Sequence, residues 1–595
     1  METFQNLVDM FQKATARHAA RPLFGVKRSG AWQWMTYGEV AARVDAFRAG
    51  LAGLGVGRGD RVAIIADNSP EWAIAAYATY GLGAQFVPMY EAQLAREWEF
   101  ILRDCEAKVL LVANGDIEAR TRPFIASIPA LAHVVNLSGP VSAPESTTFR
   151  GLVKLGEARP VPAIQPGSHE LCGFLYTSGT TGDPKGVLLT HGNITSNINA
   201  IHEIFPMGAG DVSLSFLPWA HSFGQTVELH ALLSYGASMA LAESVATILA
   251  NLAEIRPTLL FSVPRIFNRI HEGVHKNMRD AGGLQLELFN RMVSVGRERR
   301  ALAAEGRSSL LVEAQHVMLD RLVASRIRER FGGRLRWAFS GGAALAPEVA
   351  SFIDTLGVPV YEGYGLTETA PIATCNTPAA RRIGSVGKPL PGVRVTLAPV
   401  EDAPPGEGEI VIYGPNVMQG YHRLQAETAS ALTPDGGFRT GDLGRFDADG
   451  FLYVTGRLKE QYKLENGKFV SPAPLEEQLR LSPYIAQIVI DGTNRPSNVA
   501  VIVPDFDALK PWAKTAGVET RTSSELARRP EVAELLREEI GRLGRDFKGF
   551  ERPERFIVVA EDFTTDNGLL TPSLKVRRRA VLARYAEQLA RLHAR

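Results

Sequence analysis

The eleven residues Tyr176 to Gly186, "YTSGTTGDPKG", place Thr177, Ser178, Thr180 and Thr181 among the glycines Gly179 and Gly182 and follow them with one cation, Lys185. Side chains this small bury little apolar surface, so the run contributes little to a core. It offers backbone N–H groups free to converge, hydroxyl donors and a lysine, which together suit an anion and above all a phosphate chain. It is not a Walker loop, because Lys185 is followed by Gly186 where that pattern requires Ser or Thr. Taken alone, such a run is also compatible with a plain surface turn.

Two further stretches extend the inventory. In "YEGYGLTET" the glycines beside Tyr364, Gly363 and Gly365, let backbone lie flat against a planar ring, and Glu368 offers a carboxylate able to hold Mg²⁺ on phosphate oxygens. "FRTGDLG" isolates Asp442 at a turn, where an ionised carboxylate can accept hydrogen bonds from both hydroxyls of a ribose. Asp at a Gly-Asp turn is also ordinary turn chemistry. Phosphate loop, ring platform, metal carboxylate and ribose carboxylate, in that order, describe a nucleotide site.

Something must position these groups. "LCGFLY" predicts a short buried strand entering the first loop, and "VLLTHGNITSNINAI" a strand end running into a helix, the place where α/β proteins hold ligands. Short apolar strands such as "DRVAIIADN", "AKVLLVA", "PTLLFSVP" and "LRWAFSGG" alternate with helical patterns, predicting an α/β fold of parallel sheets covered by helices. Trp72 to Tyr90 carries no charge, yet its glycines and Pro88 predict a buried helix running into a strand rather than a membrane span. Arg269 to Gly333 is charged and helix-patterned, predicting a helical hairpin packed on the sheet, with a lipid-facing or partner-facing insertion as the alternative. After Ser385 short strands and tight turns predict a β-rich subdomain. Beyond "TGRLKEQYKLENGKFVSP" the pattern reads βαβ, which predicts domains at 1–456 and 457–595, the second a small α+β unit.

The remaining bounds are negative. A chain of 595 residues is too long for one core. A formal charge of +1 leaves no footprint for nucleic acid. Cys105, Cys172 and Cys375 lie far apart without CxxC spacing, which argues against a disulfide framework or a zinc site and for a reducing compartment. The N-terminus predicts an amphipathic helix, not a signal peptide.

Together "YTSGTTGDPKG", "SGGAAL", "YEGYGLTET", "TGDLG" and "GRLKE" resemble the adenylate-forming enzymes, in the order that family uses and over nearly the whole chain. "KLENGKFVSPAPLEE" and "LLTPSLKVRRR" resemble its long-chain fatty acyl-CoA synthetase branch. The resemblance implies a large N-terminal domain and a small mobile C-terminal lid. It also implies two half-reactions, in which a fatty acid and Mg-ATP give acyl-AMP, and coenzyme A then displaces AMP. Thr177, Ser178, Gly179, Thr180, Thr181, Gly182 and Lys185 would then hold the β- and γ-phosphates. Thr367 would contact the α-phosphate, and Glu368 would hold Mg²⁺. Gly341, Gly342 and Ala343 would face Tyr364 and Gly365 across adenine, while Asp442 and Arg457 would bind ribose. Lys459 falls at the family's hinge, and Lys575 matches its lid lysine. His221 in "LPWAHSFGQ" either gates the acyl carboxylate or is a satisfied structural histidine. The Ser-Phe-Gly-Gln after it departs from the acidic or bulkier pattern common in long-chain members, which leaves acyl length open.

The expectation is therefore a fatty acyl-CoA synthetase acting on medium- to long-chain acids with ATP, Mg²⁺ and coenzyme A. The alternatives are an acyl-AMP ligase delivering to a carrier protein and a non-catalytic acyl- or nucleotide-binding relative. The chain is expected in the cytoplasm, and peripheral contact with the inner face of a membrane stays open.

Overall fold

The computed structural model describes residues 3–139, 144, 147–177, 183–401, 403–518, 520, 522–571 and 575–593. The chain forms two compact units, one of residues 1–396 with 411–439, the other of 397–410 with 440–595.

The first unit is built on two sheets. One has the strand order Lys388–Pro389, Ile372–Cys375, Val360–Gly365, Trp337–Ser340, Leu259–Ser262, Val212–Ser215, Ser238–Leu241, Pro22–Arg28 and Ala31–Thr36. The other has the order Gly420–Tyr421, Lys185–Thr190, Leu171–Thr177, Gln85–Met89, Arg61–Ile65, Val109–Val112 and His133–Asn136. Inner pairs such as Arg61–Ile65 with Gln85–Met89, and Leu259–Ser262 with Trp337–Ser340, are parallel. Strands covered on both faces must be apolar throughout, and Val109–Val112 is buried at every residue. Antiparallel pairs occur toward the ends, notably Leu171–Thr177 with Lys185–Thr190.

The helices start where the sequence offers caps. Ser69 accepts from the Trp72 N–H with Pro70 at the first helical position, and the helix Pro70–Tyr80 is buried at every residue but Glu71 before the strand Gln85–Met89. Thr190 and Asn193 form a capping box that opens His191–Ile204. The N-terminal helix Leu7–His18 buries one face, with Phe11 stacked on Tyr77 at 4.4 Å. Among the described residues no helix is long and apolar enough to cross a membrane. The segment after Val263 is helical, as expected, but comprises Pro264–Ala281, Gly283–Ala304 and a third run from Leu310 to Glu329 rather than one simple hairpin.

The β-rich stretch after Ser385 forms a sheet of Arg394–Ala398, Gly408–Tyr413, Phe438–Phe446 and Leu452–Arg457. Further on, the expected βαβ is only partly present. Ile485–Asp491 and Asn498–Pro504 pair antiparallel, because the few residues between them allow only a hairpin. Asn498–Pro504 then pairs parallel with Pro553–Val558 after a connection that includes the helix Pro530–Leu543.

Candidate active site

In the first unit the candidate residues gather at the carboxyl ends of strands, where open α/β sheets bind ligands. Ser340 is in register with Ser262 on one side and Glu362 on the other, so the turn beginning at Gly341 lies beside Gly363 to Gly365. Gly341 N–H donates to Ser262 O at 3.4 Å, and Gly342 takes φ +82°, which glycine adopts without a Cβ penalty. A Cβ on Gly341 would lie 3.2 Å from the Phe223 ring, so that ring packs against this backbone. A Cβ on Gly365 would lie 1.7 Å from Pro371 O, which excludes any side chain there. Ala343 is exposed, and Tyr364 is half-buried on the strand, opposite Thr374.

Across the second sheet of this unit, Thr177 faces Lys185 in the hairpin, with its hydroxyl donating to Lys185 O at 3.5 Å. Ser178, Gly179, Thr180, Thr181 and Gly182, which the sequence assigns to the phosphate loop, lie outside the described residues. Lys185 Nζ stands 5.4 Å from the centroid of the Tyr421 ring. The Tyr421 phenol donates to Glu368 Oε1 at 2.9 Å. One tyrosine thus holds the lysine on its face and the carboxylate at its hydroxyl. Burial, then the Glu368 charge and this hydrogen bond, push the Tyr421 phenol well above its ordinary pKa, so it stays protonated as the donor. Beside Glu368, the Thr367 hydroxyl lies 3.3 Å from the Ser222 hydroxyl.

His221 is half-buried, and its Nδ1 accepts from the Phe223 N–H at 3.2 Å. In the neutral ring the proton therefore sits on Nε2. The loop carrying it is clamped by Asn68, which accepts from Trp219 N–H and donates to Leu217 O, each at 2.8 Å. Phe223–His230 then winds as a π-helix, a form common at functional sites. From it the fully buried Glu228 accepts from Ser213 and Ser215 hydroxyls at 2.9 and 2.7 Å, and burial pushes its carboxyl up to about 8. Glu362, pushed up to about 7 by burial, accepts from Leu345 N–H at 3.3 Å and from the Gly384 N–H, tying these loops to its strand.

Glu228 yields a stability prediction. Its folded pKa lies above its unfolded value near 4.5, so the wild type loses stability as pH rises from there through about 8. Glu228→Gln cannot titrate. Its stability relative to wild type should therefore rise by about 3–5 kcal/mol between those limits. His191 and His230, which burial holds down to about 4 and about 3, act oppositely but are common to both proteins and cancel. Denaturation midpoints at pH 5 and 8.5 check this, and a pH-independent offset would contradict it.

In the second unit Asp442 and Arg457 are cross-strand partners, and Arg457 Nε donates to Asp442 Oδ1 at 2.8 Å. The Asp442 side chain is 5% exposed and that of Arg457 is 47% exposed, so the carboxylate is buried behind an accessible guanidinium. Gly441, at φ +68°, donates its N–H to Glu409 Oε1 at 3.2 Å and turns the backbone into Asp442. Lys459 is exposed in the turn that follows Leu452–Arg457. Lys575 is exposed, and its backbone is pinned by Thr571, whose hydroxyl accepts Lys575 N–H at 3.0 Å and whose N–H donates to Lys575 O at 2.8 Å.

The structure thus joins Lys185 and Glu368 through Tyr421, with Thr177 bonded to the Lys185 backbone, and Thr367 with Gly341 through Ser222 and Phe223. It pairs Asp442 with Arg457. Tyr421, Asn68, Glu228 and Glu362 were missed by sequence reasoning, and Ser222 and Phe223 were read only as a departure in the run after His221. The two glutamates sit in otherwise apolar or glycine-rich runs, which was their only local signal.

The AMP-binding enzyme model matches residues 11–422, and the AMP-binding enzyme C-terminal domain model matches 459–595. The long-chain-fatty-acid–CoA ligase FadD15 of Mycobacterium bovis is 34% identical over 95% of this chain and 93% of its own. The peroxisomal long chain acyl-CoA synthetase 7 of Arabidopsis thaliana is 30% identical over 99% of this chain and 86% of its own. In fold, the adenylation domain of a Mycobacterium chelonae carboxylate reductase superposes with a TM-score of 0.80 at 23% identity, covering 100% of this chain and 92% of that one. With both models and full-length relatives agreeing, the chain belongs to the AMP-binding enzyme family, among relatives named as long-chain-fatty-acid–CoA ligases.

Proposed function

We propose that this protein is an ATP-dependent fatty acyl-CoA synthetase, acting on medium- to long-chain fatty acids. A carboxylate is a poor electrophile, and adenylation supplies the leaving group it lacks. A carboxylate oxygen forms a bond to the α-phosphorus of ATP, and the bridging α–β P–O bond breaks with its electron pair leaving on pyrophosphate. The sulfur of coenzyme A then attacks the acyl carbonyl, and AMP departs with the electrons of the acyl–oxygen bond.

The observation that carries this reading is the Lys185–Tyr421–Glu368 cluster, in which the lysine of the phosphate-type sequence and a carboxylate are held on one tyrosine. Attack on an anion by an anion is governed by charge neutralisation. Lys185 supplies positive charge for the β- and γ-phosphates, and Thr367 offers a hydroxyl to the α-phosphate. Glu368 Oε2 accepts no hydrogen bond among the described residues. Magnesium commonly takes one or two carboxylates and completes its shell with phosphates and water, so Glu368 fits as its single protein ligand. When bound, Mg²⁺ would neutralise phosphate charge. Gly341 to Ala343 and Tyr364 to Gly365 flank adenine, Asp442 and Arg457 hold the ribose, and His221 presents Nε2–H to the acyl carboxylate. We assign 1–456 to adenylation and 457–595 to a lid that turns about Lys459 and carries Lys575.

Product analysis with ATP, Mg²⁺, coenzyme A and a ladder of fatty acids tests the reading. AMP and pyrophosphate should form only with a fatty acid present, and acyl-CoA only when coenzyme A is added. ADP and orthophosphate would overturn adenylation. An adenylate inert to free coenzyme A would assign the chain to carrier-protein loading instead.

A further inference from the structure

Glu228 lies fully buried on Phe223–His230 and makes no ion pair among the described residues. Burial of an ionisable side chain opposes folding unless hydrogen bonds hold it, and an apolar residue would pack the same space without that cost. What the carboxyl adds is a polar connection. Ser213 and Ser215 alternate on Val212–Ser215, so both hydroxyls project to one face of the sheet, where the one carboxyl spans them. Ser215 carries the connection further. Its hydroxyl donates to Glu228 Oε2 at 2.7 Å and accepts from Asn68 Nδ2 at 3.3 Å.

Asn68 is the clamp on the loop that carries His221, holding Leu217 O and Trp219 N–H. Pro218 lies between those two, and its carbonyl accepts the His221 N–H at 3.0 Å. The same carbonyl stands 2.4 Å from where a Cβ on Gly224 would be, so the loop lies directly on the start of the π-helix. The Gln225 N–H donates to His221 O at 2.9 Å and joins His221 to that helix. A circuit of hydrogen bonds thus runs from Glu228 through Ser215, Asn68 and the backbone of 217–219 to His221, and returns along the helix to Glu228. Opening it at any point leaves the loop free to shift, and misplacement of a positioning group by about 1 Å can cost on the order of a hundredfold in rate.

We infer that Glu228 is a positioning residue for the fatty acid: through Ser215 and Asn68 it sets the place of His221, and with it the productive binding of the acyl carboxylate but not of ATP. This rests on the reading of His221 as the group that presents Nε2–H to that carboxylate.

Fatty-acid-dependent AMP formation by the full chain, with dodecanoate and ATP varied in turn, tests it. Glu228→Met keeps the length of the side chain and removes both oxygens. It should lower kcat/KM for dodecanoate roughly ten- to hundredfold while the KM for ATP stays within about twofold of wild type. Ser215→Ala opens the same circuit with a smaller change in volume and should show the same selectivity at roughly three- to tenfold, which decides the matter if melting shows that Glu228→Met does not fold. Glu228→Gln can accept from one serine and donate to the other, and should recover kcat/KM to within about threefold of wild type. Because the effect passes through His221, either substitution added to His221→Ala should leave that variant's kcat/KM for dodecanoate unchanged within about twofold. The inference is overturned if folded variants raise the KM for ATP as much as that for dodecanoate, or leave both unchanged. It is also overturned if Glu228→Gln is as impaired as Glu228→Met, or if the losses add in full to that of His221→Ala. Normal turnover of dodecanoate by His221→Ala alone would overturn the reading of His221 and the inference with it, which tells the two failures apart.

Discussion

Lys575→Ala is expected to lower acyl-adenylate formation by about a hundred- to a thousandfold while converting supplied acyl-adenylate to acyl-CoA within about twofold of wild type. The two half-reactions make different electrostatic demands. In the first, a carboxylate approaches a triphosphate, and a cation near the α-phosphate offsets charge that grows in the transition state. In the second, pyrophosphate has gone and the reacting centre is an acyl carbonyl, so the same cation has nothing to neutralise. Lys575 suits a mobile role: its side chain is exposed, while its backbone is fixed to Thr571 by two hydrogen bonds. The variant removes a surface side chain and should fold normally, which its melting temperature checks. Equal slowing of both half-reactions in a folded enzyme would refute alternation of the lid.

Glu368→Gln should cost adenylation about 3–4 kcal/mol, a loss of more than a hundredfold in rate. Gln keeps the size of Glu and retains an oxygen able to accept from the Tyr421 phenol, so the cluster stays assembled. What is lost is the negative charge that would hold a divalent cation against the phosphates. Raising Mg²⁺ should recover part of the rate. Turnover equal to wild type at ordinary Mg²⁺ would remove Glu368 from the site.

Much of the frame was legible because burial leaves a strong local record. "LCGFLY" and "AKVLLVA" are apolar runs of strand length, and both are strands. The uncharged stretch from Trp72 resolves into helix and strand because Ser69 and Pro70 start one, while Gly81 and Gly83 end it before the other. The tertiary partners were not legible. Tyr421 reaches Glu368 across 53 positions, and Asn68 reaches Trp219 across 151. No local pattern encodes such pairs, since sheet order creates them. The second unit shows the same limit: its strands and one long helix read as βαβ, but the antiparallel pairing of Ile485–Asp491 depends on the short connection more than on composition. The winding of Phe223–His230 as a π-helix also escaped, because its apolar residues fit an ordinary helical period equally well.

The central claim is that a fatty carboxylate attacks the α-phosphate of ATP. Turnover of a fatty acid whose carboxyl carries heavy oxygen, followed by mass analysis of the nucleotide, tests it most directly. One labelled oxygen should appear on each AMP formed, because the acyl–oxygen bond is the one broken when coenzyme A accepts the acyl group. Unlabelled AMP, or label found in orthophosphate, would contradict the account.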